Sequence, residues 1–280
     1  MRLILLGTGT PVLDPQRPAT TAILIETGSE KILFDTGRGV TMQLLKQEID
    51  PTSIGTIFIT HHHYDHICDL GELLLSAWHN GRNQPVNVFG PQGTTSIVEA
   101  LFNQVHVRDI RFALHVDSNV IDIRQLIRVK DVLPGPVCET DGWRVFAEYV
   151  NHGNTLGLST TDWPCLGYRL VSNGKTLAIG GDTTVCAGLD RLAEGADILL
   201  LSCYLAEKEL ESPTFERLAR HIIVSSGQAG KIAQRAGVQR LVLTHFRKKS
   251  NALMHSLKED IQDDFGGELY IGEDGMVIRI

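Results

Sequence analysis

Residues 60–66 read Thr-His-His-His-Tyr-Asp-His, so the pattern His61-x-His63-x-Asp65-His66 crowds four metal-binding side chains into six positions directly after the apolar run 56–60. An extended chain points residues two apart in the same direction, so His61 and His63 can grip one ion. A turn into the apolar segment 67–78 then swings Asp65 and His66 to another side, where they can serve a second. Such a motif needs a strand that ends at a sheet edge and other strands that bring further ligands to the same place. A site of imidazole and carboxylate takes three or four ligands per zinc, and a short span seldom supplies them all. Distant single histidines and carboxylates should therefore follow strands elsewhere. They do: His152 ends the strand-like 143–150, Asp182 follows the apolar 177–181, and His245 follows 240–244. A merely His-rich surface loop leaves this pattern unexplained.

With these residues in view, the chain resembles the metallo-β-lactamase superfamily, whose signature is His-x-His-x-Asp-His followed by an isolated His, an Asp and a last His. Within it the resemblance is to the branch holding ribonuclease Z, arylsulfatase-type and phosphodiesterase-type hydrolases. It is carried by Leu5-Leu6-Gly7-Thr8-Gly9-Thr10-Pro11, Ile32-Leu33-Phe34-Asp35-Thr36-Gly37-Arg38-Gly39, Gly90-Pro91, Gly181-Asp182-Thr183 and Leu243-Thr244-His245-Phe246, which together span nearly the whole chain. The resemblance implies an α/β fold of the four-layer αββα kind, two mixed sheets face to face with helices outside. It also implies His61, His63 and His152 on a first metal, Asp65, His66 and His245 on a second, and Asp182 bridging both. Two divalent ions are the implied cofactor, zinc first, with manganese or iron as options.

Strand-like segments near 2–6, 21–26, 31–34, 56–60 and 86–89 alternate with helical patterns near 40–48, 68–79 and 92–104, and the alternation resumes after about 165. The 280 residues contain no Pro/Ser-rich linker, charge block or low-complexity tract, so a single domain over 1–280 is expected. The five cysteines are scattered and odd in number, which excludes a disulfide framework or a thiolate zinc site and fits a reducing, cytoplasmic setting. No apolar stretch reaches membrane-spanning length. A net charge of −7 argues against broad affinity for nucleic acid, which normally needs a basic surface. Family members are often dimers, so a homodimer is an expectation here.

Two divalent ions about 3.5 to 4 Å apart can hold hydroxide ready at neutral pH and act as Lewis acids on the oxygen that becomes negative. The expected reaction is attack of that metal-bridging hydroxide on a small ester, a phosphodiester or aryl sulfate ahead of a lactone. Asp65 is expected to move the proton as well as bind metal. Asp35, after 31–34, reads either as a turn residue or as an acceptor for the outer N–H of a ligand histidine. His221 lies upstream of a helical pattern at 226–236, where ribonuclease Z-like proteins carry a substrate-contacting histidine, though about two residues farther away. Tyr204 and Arg247 are candidate substrate contacts, the latter as an anchor for an anionic group. Ribonuclease Z holds tRNA with a long Gly/Pro-rich arm between its Gly-Tyr-Arg strand and its Asp motif, whereas here Arg169 reaches Asp182 after 12 residues. A tRNA 3′-processing endonuclease with a different clamp remains an alternative, as does an iron-dependent oxidoreductase on the same scaffold.

Overall fold

The computed structural model describes all 280 residues. Its first sheet is built from β1 (Arg2–Gly7), β2 (Ala22–Thr27), β3 (Glu30–Phe34), β4 (Thr56–Phe58), β5 (Val86–Gly90) and β6 (Ile127–Asp131). Its second contains β7 (Gly135–Glu139), β8 (Trp143–Tyr149), β9 (Leu166–Ser172), β10 (Lys175–Ile179), β11 (Ile198–Ser202), β12 (Arg240–Thr244) and β13 (Glu268–Ile271), and β14 (Met276–Arg279) returns to the first. The orders are β14-β1-β2-β3-β4-β5-β6 and β13-β12-β11-β10-β9-β8-β7. In each sheet an antiparallel meander runs into parallel strands, β3 to β6 in one and β10 to β13 in the other.

The period-2 alternation of the strands makes three apolar layers from two sheets. In β1, Leu3 and Leu5 face the second sheet, while Ile4 and Leu6 face the outer helices. The middle layer is closed by aromatic contacts from both sheets: Phe34 stacks on Phe58 at 5.1 Å between ring centroids, and Phe58 meets Tyr168 of β9 at 5.2 Å. The outer layers hold the helices Val40–Lys46 and Leu70–His79 on one side, and Ala187–Ala193, Ser226–Ala236 and Asn251–Gln262 on the other. The result is the expected αββα sandwich.

Some elements differ from the sequence reading. The run 56–60 leaves its ladder after Phe58, because the Thr60 N–H donates to Asp35 Oδ1 at 2.7 Å instead of to a neighbouring strand. The helix expected over 92–104 is regular only across Thr94–Ala100 and then loosens to a wider turn over Leu101–Val105. A further helix, Val107–Val116, fully buries only Ile110, with Ala113 and Leu114 packed partly against the core. The strap Pro213–His221 likewise buries only Ala219 fully, and was not anticipated.

In open parallel sheets the carboxyl ends of strands form the crevice where ligands bind. Here those of β3, β4, β10 and β12 open on the same edge of the sandwich, and the end of β8 joins them.

Candidate metal centre

Each of these ends delivers one part of the cluster. His61 and His63 follow β4, and His63 caps the short helix Tyr64–Ile67 that carries Asp65 and His66. His152 follows β8, Asp182 follows β10 and His245 follows β12. Two non-glycine residues at these turns, Asp35 with φ 59° and His245 with φ 63°, adopt the left-handed region. Side chains rarely tolerate that conformation, and where they do the surrounding structure must hold it. Gly37 shows how tight the packing is: a Cβ there would lie 2.3 Å from the Asp65 carbonyl oxygen.

The donor atoms converge. His61 Nε2 lies 2.9 Å from His63 Nδ1, and His152 Nε2 lies 3.1 Å from the same atom. His245 Nε2 is 3.1 Å from Asp65 Oδ2 and 3.4 Å from Asp182 Oδ2. His66 Nε2 is 3.7 Å from both Asp65 Oδ2 and Asp182 Oδ1, and His152 Nε2 is 3.8 Å from Asp182 Oδ2. Ligands about 2.0–2.1 Å from a tetrahedral ion sit about 3.3–3.4 Å from one another, the middle of this range. Three overlapping groups have donor atoms all within 4.8 Å of one another: His61, His63 and His152; His61, His66 and Asp182; and Asp65, His66 and His245.

The outer atoms determine which nitrogen faces inward. His66 Nδ1–H donates to Asp35 Oδ2 at 2.7 Å, and His152 Nδ1–H donates to the Ile222 carbonyl at 2.6 Å. The Thr60 hydroxyl donates to Asp35 Oδ2 at 2.8 Å and accepts from His61 Nδ1–H at 3.0 Å. Each bond leaves a lone pair on Nε2, directed at the cluster. His66 Nε2 and Asp182 Oδ1 are nevertheless buried without any hydrogen-bond partner. Buried polar atoms are ordinarily satisfied, and a cation between them supplies the missing partner. The donor set therefore fits divalent metal.

Protonation agrees. Burial, reinforced by His66 and His152, holds His61 well below the ordinary imidazole range. Burial and then His152 bring His63 down to about 4, and burial lowers His152. These nitrogens are neutral and free to coordinate at neutral pH. Burial opposes the Asp182 carboxylate, but the neighbouring His245 and His66 outweigh it and keep the group ionised. Burial also opposes charge on His66, yet Asp35 and Asp182 prevail and hold its pKa well above the usual value.

A family model described as the beta-lactamase superfamily domain matches residues 30–246, which includes all seven of these side chains. The chain belongs to the metallo-β-lactamase superfamily. It is 31% identical over 285 residues to the ribonuclease Z of Mycobacterium avium (strain 104), an alignment covering 98% of this chain and 96% of that one. Among solved structures it resembles the metallo-beta-lactamase fold protein YhfI from Bacillus subtilis (TM-score 0.74, 18% identity, 99% of this chain and 98% of that one). It also resembles human tRNase Z, short form (TM-score 0.73, 23% identity, 100% and 99%). The protein is a metal-dependent hydrolase.

Beside the cluster this hydrolase has a cleft of about 270 Å³, lined by Thr10, Pro11 and Val12 from the β1–β2 loop, by Leu218, Ile222 and Ile223 around the end of the strap, and by Tyr204 and Arg247. Tyr204 stacks against His245 at 6.1 Å. The Arg247 guanidinium lies between the rings of Phe215, at 4.2 Å, and Tyr204, at 5.0 Å, and pairs with Glu209 at 3.1 Å. Glu209 also pairs with Lys249, whose side chain is 1% exposed. His221 is not among the cleft residues. It is the last residue of the strap, its Nδ1 bonds Thr155 Oγ1 at 2.7 Å, and its carbonyl accepts from Gly153. The reason is helical register: Leu218 and Ile222, four apart, share the cleft-facing side, and position 221 is turned about 100° from 222. His62 points away from the cluster and bonds Thr94 Oγ1. Sequence reasoning did not single out Thr60 or the Ile222 carbonyl. Thr60 has a local signal, since it directly precedes the motif; a backbone carbonyl from residue 222 has none.

Proposed function

We propose that the protein is a two-metal phosphodiesterase of the ribonuclease Z type, cleaving RNA. The observation that carries this reading is the complete seven-residue cluster in a chain that aligns end to end with a protein named Ribonuclease Z. The acidic net charge had favoured a small substrate, but likeness over the whole length is the stronger support. The absence of a long arm does not weaken it. Here β9 and β10 are joined by the tight turn Asn173-Gly174, with φ 52° and 72°, and the near-complete alignment leaves no room for a long insertion in the mycobacterial relative either.

In this reading His61, His63 and His152 hold one ion, Asp65, His66 and His245 hold the other, and Asp182 serves both. Divalent ions held there supply Lewis acidity toward a phosphoryl oxygen and acidify water, the chemistry that direct hydrolysis at neutral pH needs. Asp65 does the proton work. Even without an ion, where burial opposes its charge, the hydrogen bond from His245 and the charge of His66 hold its pKa below the usual carboxylate value, and beside divalent metal it would stay a carboxylate, able to accept a proton from attacking water and pass one to the leaving group. Tyr204, whose phenol burial pushes up to about 12, stays protonated and can donate to a developing oxyanion. Arg247, stiffened by two aromatic faces, anchors the phosphate.

A second reading, a small phosphodiester or aryl sulfate, is favoured by the cleft itself. Arg247 is its one cationic side chain, and Val12, Leu218, Ile222 and Ile223 give it an apolar wall. The test is turnover of precursor tRNA, bis-p-nitrophenyl phosphate and p-nitrophenyl sulfate by zinc- and manganese-loaded protein, with Asp182→Asn as control. Precursor tRNA cleavage that disappears in the variant supports the first reading. Turnover of a small ester alone promotes the second, and a metal-loaded protein inert toward all three overturns both.

A further inference from the structure

Of the cluster histidines, His63 and His245 have no hydrogen bond on the nitrogen that faces away from the cluster, and of these two only His63 is exposed. His61, His66 and His152 are each held at Nδ1 by Thr60, Asp35 or Ile222, whereas His63 turns Nδ1 into the cluster and has no protein hydrogen bond at Nε2. It is also exposed, although its imidazole must stay in one rotamer to keep that nitrogen 2.9 Å and 3.1 Å from its neighbours. The side chain that meets it is Trp163. The indole and the His63 ring lie 4.7 Å apart at 52°, and the same indole meets the edge of His61 at 6.1 Å. Trp163 is itself tied down. Its Nε1–H donates to the His152 carbonyl at 2.9 Å, its own carbonyl accepts from Asn154 Nδ2 at 2.9 Å, and Asn154 Oδ1 accepts from the His152 N–H at 3.2 Å. Three residues of one loop thus link two ligand histidines.

We propose that Trp163 is a positioning residue for the metal centre: its indole, packed on the His63 ring, fixes that ring in the orientation that presents Nδ1, in place of the hydrogen bond that His61, His66 and His152 have. The proposal rests on the cluster binding metal, which the same experiment checks in the unaltered protein. Groups that orient a ligand histidine are worth about 10–100-fold in metal affinity.

Zinc affinity of full-length protein is measured by chelator competition for the unaltered chain and for Trp163→Phe, Trp163→Ala and Trp163→Leu. Phenylalanine keeps a flat face but loses the Nε1–H; leucine keeps apolar bulk without the face. The expected result is about tenfold or greater weakening in the alanine and leucine variants, with Trp163→Phe close to the unaltered protein. Cobalt(II) titration adds a spectroscopic signature. The ion should quench indole emission on binding to the unaltered protein and do so much less in Trp163→Phe, because Trp78 and Trp143 sit in the helical layer and between the sheets. Should Trp163→Ala fail to fold, Trp163→Leu carries the comparison. Unchanged zinc affinity in the leucine variant overturns the proposal. So does a phenylalanine variant as weak as leucine, which would assign the effect to the bond to His152. An unaltered protein that binds no zinc would refute the metal centre itself.

Discussion

Replacing Asp35 by Asn changes one charge at a buried position and little else. The carboxylate accepts three hydrogen bonds, from Thr60 N–H at 2.7 Å, from the Thr60 hydroxyl at 2.8 Å and from His66 Nδ1–H at 2.7 Å. Asparagine has one accepting oxygen, so in either amide orientation its NH2 faces at least one of these donors. Leaving a buried donor unpaired costs about 1–3 kcal/mol. The backbone does not confuse the result, because after glycine asparagine is among the residues that best accept the φ of 59° found here. His66 loses the anion that orients it and raises its basicity, an interaction worth about 10–100-fold in metal affinity, or about 1.4–2.7 kcal/mol. Chelator competition with zinc should therefore show at least a tenfold weakening, together with a lower denaturation midpoint for the metal-free protein. Because the link runs through His66, a double variant with His66→Ala should weaken little beyond His66→Ala alone. Asp35→Asn protein with unaltered zinc affinity would refute the role assigned to this carboxylate.

Further outcomes follow from other contacts. Arg247→Lys should behave nearly like Arg247→Ala, raising KM for an anionic substrate about tenfold with a smaller change in kcat, because lysine cannot reproduce a planar cation between two rings; steady-state kinetics on bis-p-nitrophenyl phosphate measures this, and a fully active lysine variant contradicts it. Gly37→Ala puts a Cβ 2.3 Å from the Asp65 carbonyl oxygen and 2.5 Å from Thr20 Oγ1. It should cost about 1–3 kcal/mol in urea denaturation, and a neutral effect would mean that the loop yields easily. Metal-free protein should lose stability on acidification. His61, His63 and His152 have folded-state pKa values below the unfolded imidazole's, so the unfolded chain binds more protons as pH falls. Their contribution is present above about pH 6.5 and is lost as pH falls toward the His63 value of about 4. Denaturation midpoints between pH 7 and 4, with and without zinc, test the sign.

No helix of this chain is long and apolar enough to cross a membrane. The seven side chains of the cluster were legible beforehand because each follows an apolar strand, and strand ends are where a layered sheet presents its functional groups. The short spacing His61-x-His63 and the turn before Asp65 carry their own geometry. Asp35 was ambiguous between turn and support. Its left-handed backbone suits both, and only the 2.7 Å contact with His66, from a residue 31 positions away, shows what its carboxylate touches.

Other features were settled by packing alone. The strap does carry a helical signal, Phe215, Leu218, Ala219 and Ile222 at i, i+3, i+4 and i+7, but only packing shows that this register turns Ile222 toward the cleft and His221 to Thr155. The Ile222 carbonyl that holds His152 belongs to the backbone, which carries no residue-type signature. Nothing local marks Trp163, 100 residues beyond His63; the loop 152–163 brings the two rings together. By itself the chain's sequence determined the donor types, the strands that deliver them and an α/β layering, since apolar periodicity and donor chemistry are local properties; the four-layer arrangement came from the family resemblance. Tertiary structure decided the tautomers, the supporting contacts and the walls of the cleft, because these depend on atoms up to 180 residues apart meeting within about 3 Å of one another.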